Sequence, residues 1–263
     1  MRKSIKFILL FYAFLSEKIK KLKDQRATQF NGNTKDVKTI LKLVSNDWEF
    51  NSDGLQRRIY SSYELYLKHQ KSKLLNKKEK LKFSNYDEKF KNNLKARLEN
   101  LDISLLGSRT LCLGARLGGE VRAFKELGSY AVGIDLEPGE RNNDVLFGDF
   151  HEINFPDNSV DFIYTNSLDH VYDIDKVLNE IKRVLTSEGY FISEFMFGED
   201  HYRNKYHRRK TLTWESFWWK NPQDIINLIK SFGFILFSSE TITKSSEIVL
   251  FNNWSQAIFI NKK

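Results

Sequence analysis

An α/β fold, with a mostly parallel sheet covered by helices on both faces, is what the sequence predicts, and three observations predict it. From Arg109 onward, apolar runs alternate with helix-like segments. Those apolar runs are near-continuous, as expected for strands buried on both faces. The first ends in glycines, RTLCLGARLGG over Arg109–Gly119, and the second, YAVGID, closes on the acid Asp135. Strand, glycine turn, helix, strand and acid is an arrangement that holds an adenosine. The turn lets backbone amides approach the ligand, and the acid accepts hydrogen bonds from ribose hydroxyls.

The elements follow in order. TLCLGA is the first strand, and GEVRAFKELG a helix stopped by Gly128; YAVGID is the second strand. DVLFGD is a short third strand ending at Asp149, and VDFIYTNS a fourth. Asp173–Leu185 predicts an amphipathic helix with Ile174, Val177, Leu178, Ile181 and Val184 on one side. YFISEFMF is the fifth strand, Asp224–Phe232 a further helix stopped by Gly233, and FILFSSETI and QAIFINK the last two strands. Upstream, the periodicity from Asp36 to about Leu101 is helical: Val37, Ile40, Leu41 and Val44 share one face, and Phe90, Leu94, Leu98 and Leu101 another. Gln25–Lys35 is polar and reads as a linker. The chain therefore divides into an apolar and basic helix with its linker (1–35), a helical cap (36–105) and the sheet domain (106–263).

Charge is unevenly spread along the 263 residues. The net +8 combines 24 Lys and Arg against 11 Asp and Glu in residues 1–100 with 18 against 23 in the remainder. A basic front suggests an anionic neighbour or simply a solvated helical face. Phe7–Leu15, FILLFYAFL, is too short for a membrane span, which needs roughly 18–20 apolar residues. With the basic stretch that follows, residues 1–24 suit a helix lying in a membrane interface, or one packing on its own domain or a partner. The single cysteine, Cys112, excludes an internal disulfide, fits a reducing, cytoplasmic setting and reads as a small buried hydrophobe. The five histidines lack zinc-ligand spacing, so no metal is expected.

The glycine turn discriminates between adenosine ligands. A dinucleotide fingerprint G-x-G-x-x-G requires a second glycine for close pyrophosphate approach. The turn here reads Gly114-Ala115-Arg116-Leu117-Gly118-Gly119, with Arg116 in that place. This argues against a dinucleotide.

Residues 109–197 resemble class I S-adenosylmethionine-dependent methyltransferases of the methyltransferase-type-11 kind. The resemblance is carried by the glycine turn, by Asp135 and Asp149, and by VDFIYTNSLDHVYDIDKVLNEIKRVLTSEGYFI. In that family the first strand usually reads apolar-acid-apolar-G-x-G-x-G. Gly114 and Gly118 match, while Cys112 replaces the acid and Arg116 the middle glycine. The resemblance implies a Rossmann-like seven-stranded sheet with its last strand reversed, and S-adenosylmethionine as cofactor. It places Gly114, Ala115, Arg116 and Gly118 along the methionine part and ribose, with Asp135 and Leu136 at the ribose. It sets Asp149 and Phe150 at the adenine, and Asn166 and Ser167 at the strand end facing cofactor and substrate. Arg116 either pairs with the methionine carboxylate or marks a relative without activity, so a non-catalytic scaffold that binds a partner or membrane is the alternative.

His170, just past the fourth strand, is the candidate general base for an oxygen acceptor, with Asp169 beside it. The stretch Gly198–Asn221 is too long for an ordinary connection and rich in aromatic and basic residues, which suggests a substrate lid. Arg203, His207 and Arg208 suit a phosphate or carboxylate, and Trp214 and Trp218 a sugar or aromatic ring. Tyr63, Tyr66, His69 and Gln70–Lys73 are candidates for the cleft entrance. A small-molecule or saccharide acceptor is expected. Nucleic acid is not, because Asn166-Ser167 lacks the N-P-P-aromatic signature of enzymes that methylate base amino groups.

Overall fold

The computed structural model describes residues 34–263, apart from 45, 52, 76, 140–141, 207–211 and 243–253. The apolar and basic stretch 1–24 lies outside the described residues. Helix α1 (Thr34–Leu43) leads to strands β1 (Trp48–Phe50) and β2 (Leu55–Arg58), then to α2 (Tyr63–Leu75) and α3 (Lys77–Glu99). The sheet domain runs β3 (Arg109–Leu113), α4 (Gly119–Glu126), β4 (Tyr130–Asp135), β5 (Val145–Phe147) and β6 (Val160–Thr165). It continues with α5 (Ile174–Val184), β7 (Leu185–Met196), α6 (Glu199–Tyr206), β8 (Phe217–Trp219), α7 (Pro222–Ser231), β9 (Phe234–Thr241) and β10 (Trp254–Asn261).

Seven strands form the main sheet in the order β5-β4-β3-β6-β7-β10-β9. β3 pairs parallel with β4 and β6, β4 with β5, and β6 with β7. β10 runs antiparallel to both β7 and β9. The expected sheet with a reversed final strand is therefore present. Successive strand residues point to opposite faces, and β3 shows the division. Leu111 and Leu113 join Ile163, Phe191 and Phe259 beneath α5 and α7, whereas Cys112 joins Tyr164, Ile192 and Ile258 beneath α3 and α4. The apolar stripe of α5 (Ile174, Val177, Leu178, Ile181, Val184) is wholly inside. Asp173 caps that helix by accepting from the Lys176 amide at 3.1 Å. A capping box of Asn221 and Asp224, with Pro222 at the first position, starts α7.

The helical reading of 36–105 is corrected at β1 and β2, which join β8 in a three-stranded antiparallel sheet, with Leu55 opposite Trp219 and Arg57 opposite Phe217. β2 is written LQRR and shows no apolar run. Its Arg58 is nonetheless buried, because the guanidinium donates to the carbonyls of Glu215 at 2.8 Å and Leu212 at 2.6 Å and lies over the Trp48 ring. The cap is thus tied to the middle of the sheet domain through the β2–β8 pairing and a buried cation.

One polar network crosses the α3 face of the main sheet. The fully buried Glu194 on β7 accepts from Arg97 Nε and Nη2, both at 2.9 Å, from Tyr164 Oη at 3.0 Å and from Gln256 Nε2 at 2.8 Å. Charge-assisted bonds of this kind contribute roughly 1.5–3 kcal/mol each, so Glu194→Gln is expected to destabilise the fold by about 2 kcal/mol. Urea unfolding is the check, with a lowered midpoint at unchanged slope expected; an unchanged midpoint contradicts it.

Candidate active site

The C-terminal ends of β3, β4 and β6 converge on the glycine turn. The amides of Gly114 and Ala115 donate to the carbonyl of Ile134 on β4 at 2.9 and 3.1 Å, bending the chain away from the strand axis. Gly114 has φ 68°, and a Cβ built on it would stand 2.8 Å from Ser167 Oγ and 2.9 Å from Ser167 Cβ. Only glycine fits there, both for its left-handed backbone and for its contact with Ser167, two residues past β6. Arg116 follows at φ 41°, also left-handed, and its amide donates to Asp135 Oδ2 at 3.0 Å. The Glu137 amide donates to Asp135 Oδ1 at 2.8 Å. Burial pushes the Asp135 carboxyl up, against the pull of those two amides and of the Arg116 and Lys73 charges. The acid at the end of β4 is thereby oriented, with lone pairs remaining for further donors.

Across the turn lies α2, whose Tyr66, Gln70 and Lys73 follow one another at helical spacing and face it. Together they bound a cleft with the turn and the ends of β4 and β6. Of the residues expected at the cofactor, Gly114, Arg116, Asp135, Leu136, Phe150 and Ser167 line this cleft, and His170 lies at its edge with them. Ala115 and Gly118 have other duties. Ala115 is buried against Gly133 of β4, and Gly118, at φ 87°, precedes the first turn of α4. Asn166 is buried beside the cleft and accepts from Ser167 Oγ at 3.1 Å.

Asp149 turns toward protein groups. Its Oδ1 accepts from the His151 amide at 2.9 Å and from His151 Nδ1 at 2.7 Å, and its Oδ2 accepts from the Tyr63 hydroxyl. His151 Nε2 in turn accepts from the amides of Tyr172 and Asp173 at 3.0 and 3.2 Å, so Nδ1 carries the proton. Burial would raise the Asp149 carboxyl, but the His151 and Tyr63 bonds hold it below its ordinary range. Asp149 thus clamps α2 over the cleft through Tyr63, and Phe150 supplies the ring that faces the ligand space.

His170 closes the other end. Its Nδ1 lies 3.0 Å from the carbonyl of Trp214 and its Nε2 lies 2.8 Å from Lys73 Nζ. A carbonyl only accepts and an ammonium only donates, so Nδ1 holds the proton and Nε2 offers the lone pair. Burial, reinforced by the Lys73 charge, pushes the imidazole well below its ordinary range and keeps it neutral. The buried Asp169 carboxylate stands 3.7 Å from Nε2.

The expected substrate residues are redistributed. Trp218 does not wall a ligand site: it is fully buried in β8, stacked on Trp219 at 5.3 Å. Trp214 is buried and stacked on His69 at 5.4 Å, and it acts through its carbonyl, which receives both Gln70 and His170. Arg203 lies on α6 and pairs with Glu199 at 2.8 Å, away from the cleft lining. His207 and Arg208 lie outside the described residues.

Two groups escape a pattern reading. Glu120, in the first turn of α4, is buried, and that burial raises its carboxyl to about 8 despite the Arg116 charge. His151 follows the strand-end acid by two residues, a spacing that is visible in GDFH only once the acid is known to need a partner. Burial also raises the Cys112 thiol well above its ordinary value, as expected for a small hydrophobe in the core.

Residues 111–193 match the family model described as a methyltransferase domain. The chain carries a class I S-adenosylmethionine-dependent methyltransferase domain, and S-adenosylmethionine is its cofactor. No curated protein matches the chain in sequence. Among solved structures, it is similar to a Thermotoga maritima S-adenosylmethionine-dependent methyltransferase (18% identity, TM-score 0.53, 74% of this chain and 99% of that one). It is also similar to Haemonchus contortus phosphoethanolamine N-methyltransferase 2, solved with phosphomonomethylethanolamine and S-adenosylhomocysteine (16%, 0.56, 79% and 62%). A third is the PH0226 protein of Pyrococcus horikoshii (16%, 0.52, 71% and 93%). At these identities the likeness is one of fold. No helix among the described residues is long and apolar enough to cross a membrane.

Proposed function

We propose that the chain methylates a hydroxyl of a small-molecule or saccharide acceptor, with the cofactor in the cleft between the glycine turn and α2 and His170 as general base. The observation that carries this reading is the meeting of Gly114, Asp135, Ser167 and His170 on a single cleft. The residues present suit the cofactor. The turn at Gly114 leaves room that a side chain would fill, Asp135 is an oriented acceptor for ribose hydroxyls, and Phe150 offers a ring face to the adenine. When bound, S-adenosylmethionine supplies an electrophilic methyl group on a sulfonium.

The chain's own part is positioning and proton removal. α2 lies across the cleft from the turn. His170, with Nδ1–H fixed on the Trp214 carbonyl, takes the acceptor's proton at Nε2, and the Asp169 carboxylate stabilises the imidazolium that results.

Asp135→Ala tests the cofactor half. Loss of charge-assisted bonds worth about 1.5–3 kcal/mol predicts roughly 10- to 100-fold weaker S-adenosylhomocysteine binding by calorimetry. Affinity within about twofold of the parent (under ~0.5 kcal/mol) removes Asp135 from the site.

A further inference from the structure

We infer that Lys73 is a positioning residue that holds the basic nitrogen of His170 and gives it up when its ammonium pairs instead with the cofactor's carboxylate. The inference rests on the proposed role of His170 and extends it to the order of events.

Lys73 Nζ stands 2.8 Å from His170 Nε2, and the Trp214 carbonyl engages Nδ1 from the other side at 3.0 Å. Both imidazole nitrogens are therefore committed. An ammonium carries three protons and no lone pair, so Lys73 donates and the single basic lone pair of His170 is taken. A base in this state cannot receive a proton from an acceptor hydroxyl. For His170 to work, Lys73 has to move, and a flexible four-carbon stem on a helix facing the cleft allows it to.

The cleft dictates what draws it away. Lys73 lines the same cleft as Gly114, Asp135 and His170, and its charge acts on the Asp135 carboxyl. A bound S-adenosylmethionine brings one carboxylate to this space, on its methionine part. Pairing with that anion satisfies the ammonium and uncovers Nε2. The charged and titratable groups acting on His170 include Lys73 and His69 from α2, Asp169 on its own turn, Glu215 from the segment before β8 and Arg116 from the glycine turn. Only Lys73 among them is in hydrogen-bond contact with Nε2. Its departure leaves the Asp169 carboxylate 3.7 Å from that nitrogen, and the imidazole becomes more basic when the acceptor needs it. While Lys73 holds Nε2, the base is masked.

The test follows the His170 imidazole by 15N-resolved NMR titration of the full-length protein, with and without S-adenosylhomocysteine, whose binding is measured by calorimetry in the same samples. In the parent, ligand is expected to raise the apparent pKa of His170 by about one unit, a tenfold gain in proton affinity. In Lys73→Met the value is expected to be raised already without ligand, and to change little on adding it. Lys73→Gln, which keeps a polar side chain on α2, serves as a second variant and is expected to behave alike. Saturable binding with no shift in the parent, or the same shift in both variants, overturns the masking role and leaves the cofactor assignment standing. Absence of binding in the parent overturns both.

Discussion

Gly114→Val is expected to abolish measurable S-adenosylhomocysteine binding, a loss of at least about 100-fold, while the protein remains folded. Two costs add at this position. The backbone sits at φ 68°, where a β-branched side chain is strained by about 1–3 kcal/mol. The Cβ would also press on the side chain of Ser167 at 2.8 and 2.9 Å, forcing apart the ends of β3 and β6 that form the cleft floor. The valine methyls would then occupy ligand space. The sheet tolerates the change better than the cleft does, since the two core layers lie below the strand ends. Circular dichroism establishes folding and calorimetry reads the binding. A folded variant with parental affinity contradicts the assignment of the turn.

His170→Gln is expected to lower kcat by about 10²–10⁴-fold on a hydroxyl acceptor, the usual range for loss of a general base, with cofactor affinity changed little. Glutamine keeps a polar side chain next to the Trp214 carbonyl and Lys73 but cannot take up the proton. The measurement is S-adenosylhomocysteine release from an acceptor that the parent methylates, with kcat and KM separated. A rise in KM alone would make His170 a binding group, and unchanged turnover would remove it from the reaction. The effect is also expected to depend on pH. An imidazole that burial holds well below its ordinary range is deprotonated at neutral pH even once Lys73 has moved away, so the base is lost only as the solution becomes clearly acidic.

The main sheet was legible because its strands are buried on both faces and so leave unbroken apolar runs, and because Gly114, Asp135 and Gly233 punctuate them. The cofactor side of the cleft follows from the same signals, which name strand ends. The small sheet of β1, β2 and β8 left no such trace. Its LQRR strand is buried by Arg58 bonding to distant carbonyls, and its FWW strand looks like a ligand-stacking wall until its partner is known. The Trp214 case is similar. Aromatic character suggested a ring contact with substrate, whereas the useful atom is a backbone oxygen that sets the His170 tautomer. Lys73 and His151 owe their properties to partners up to 97 residues away and Glu120 to burial, neither of which periodicity records.

The most direct test of the central claim is a crystal structure of the full chain grown with S-adenosylhomocysteine. The ribose hydroxyls are expected on the Asp135 carboxylate, the adenine against Phe150, and the homocysteine part over Gly114 beneath α2, with its carboxylate at Lys73. Ligand bound elsewhere, or an intact cleft that stays empty at saturating ligand, would contradict it.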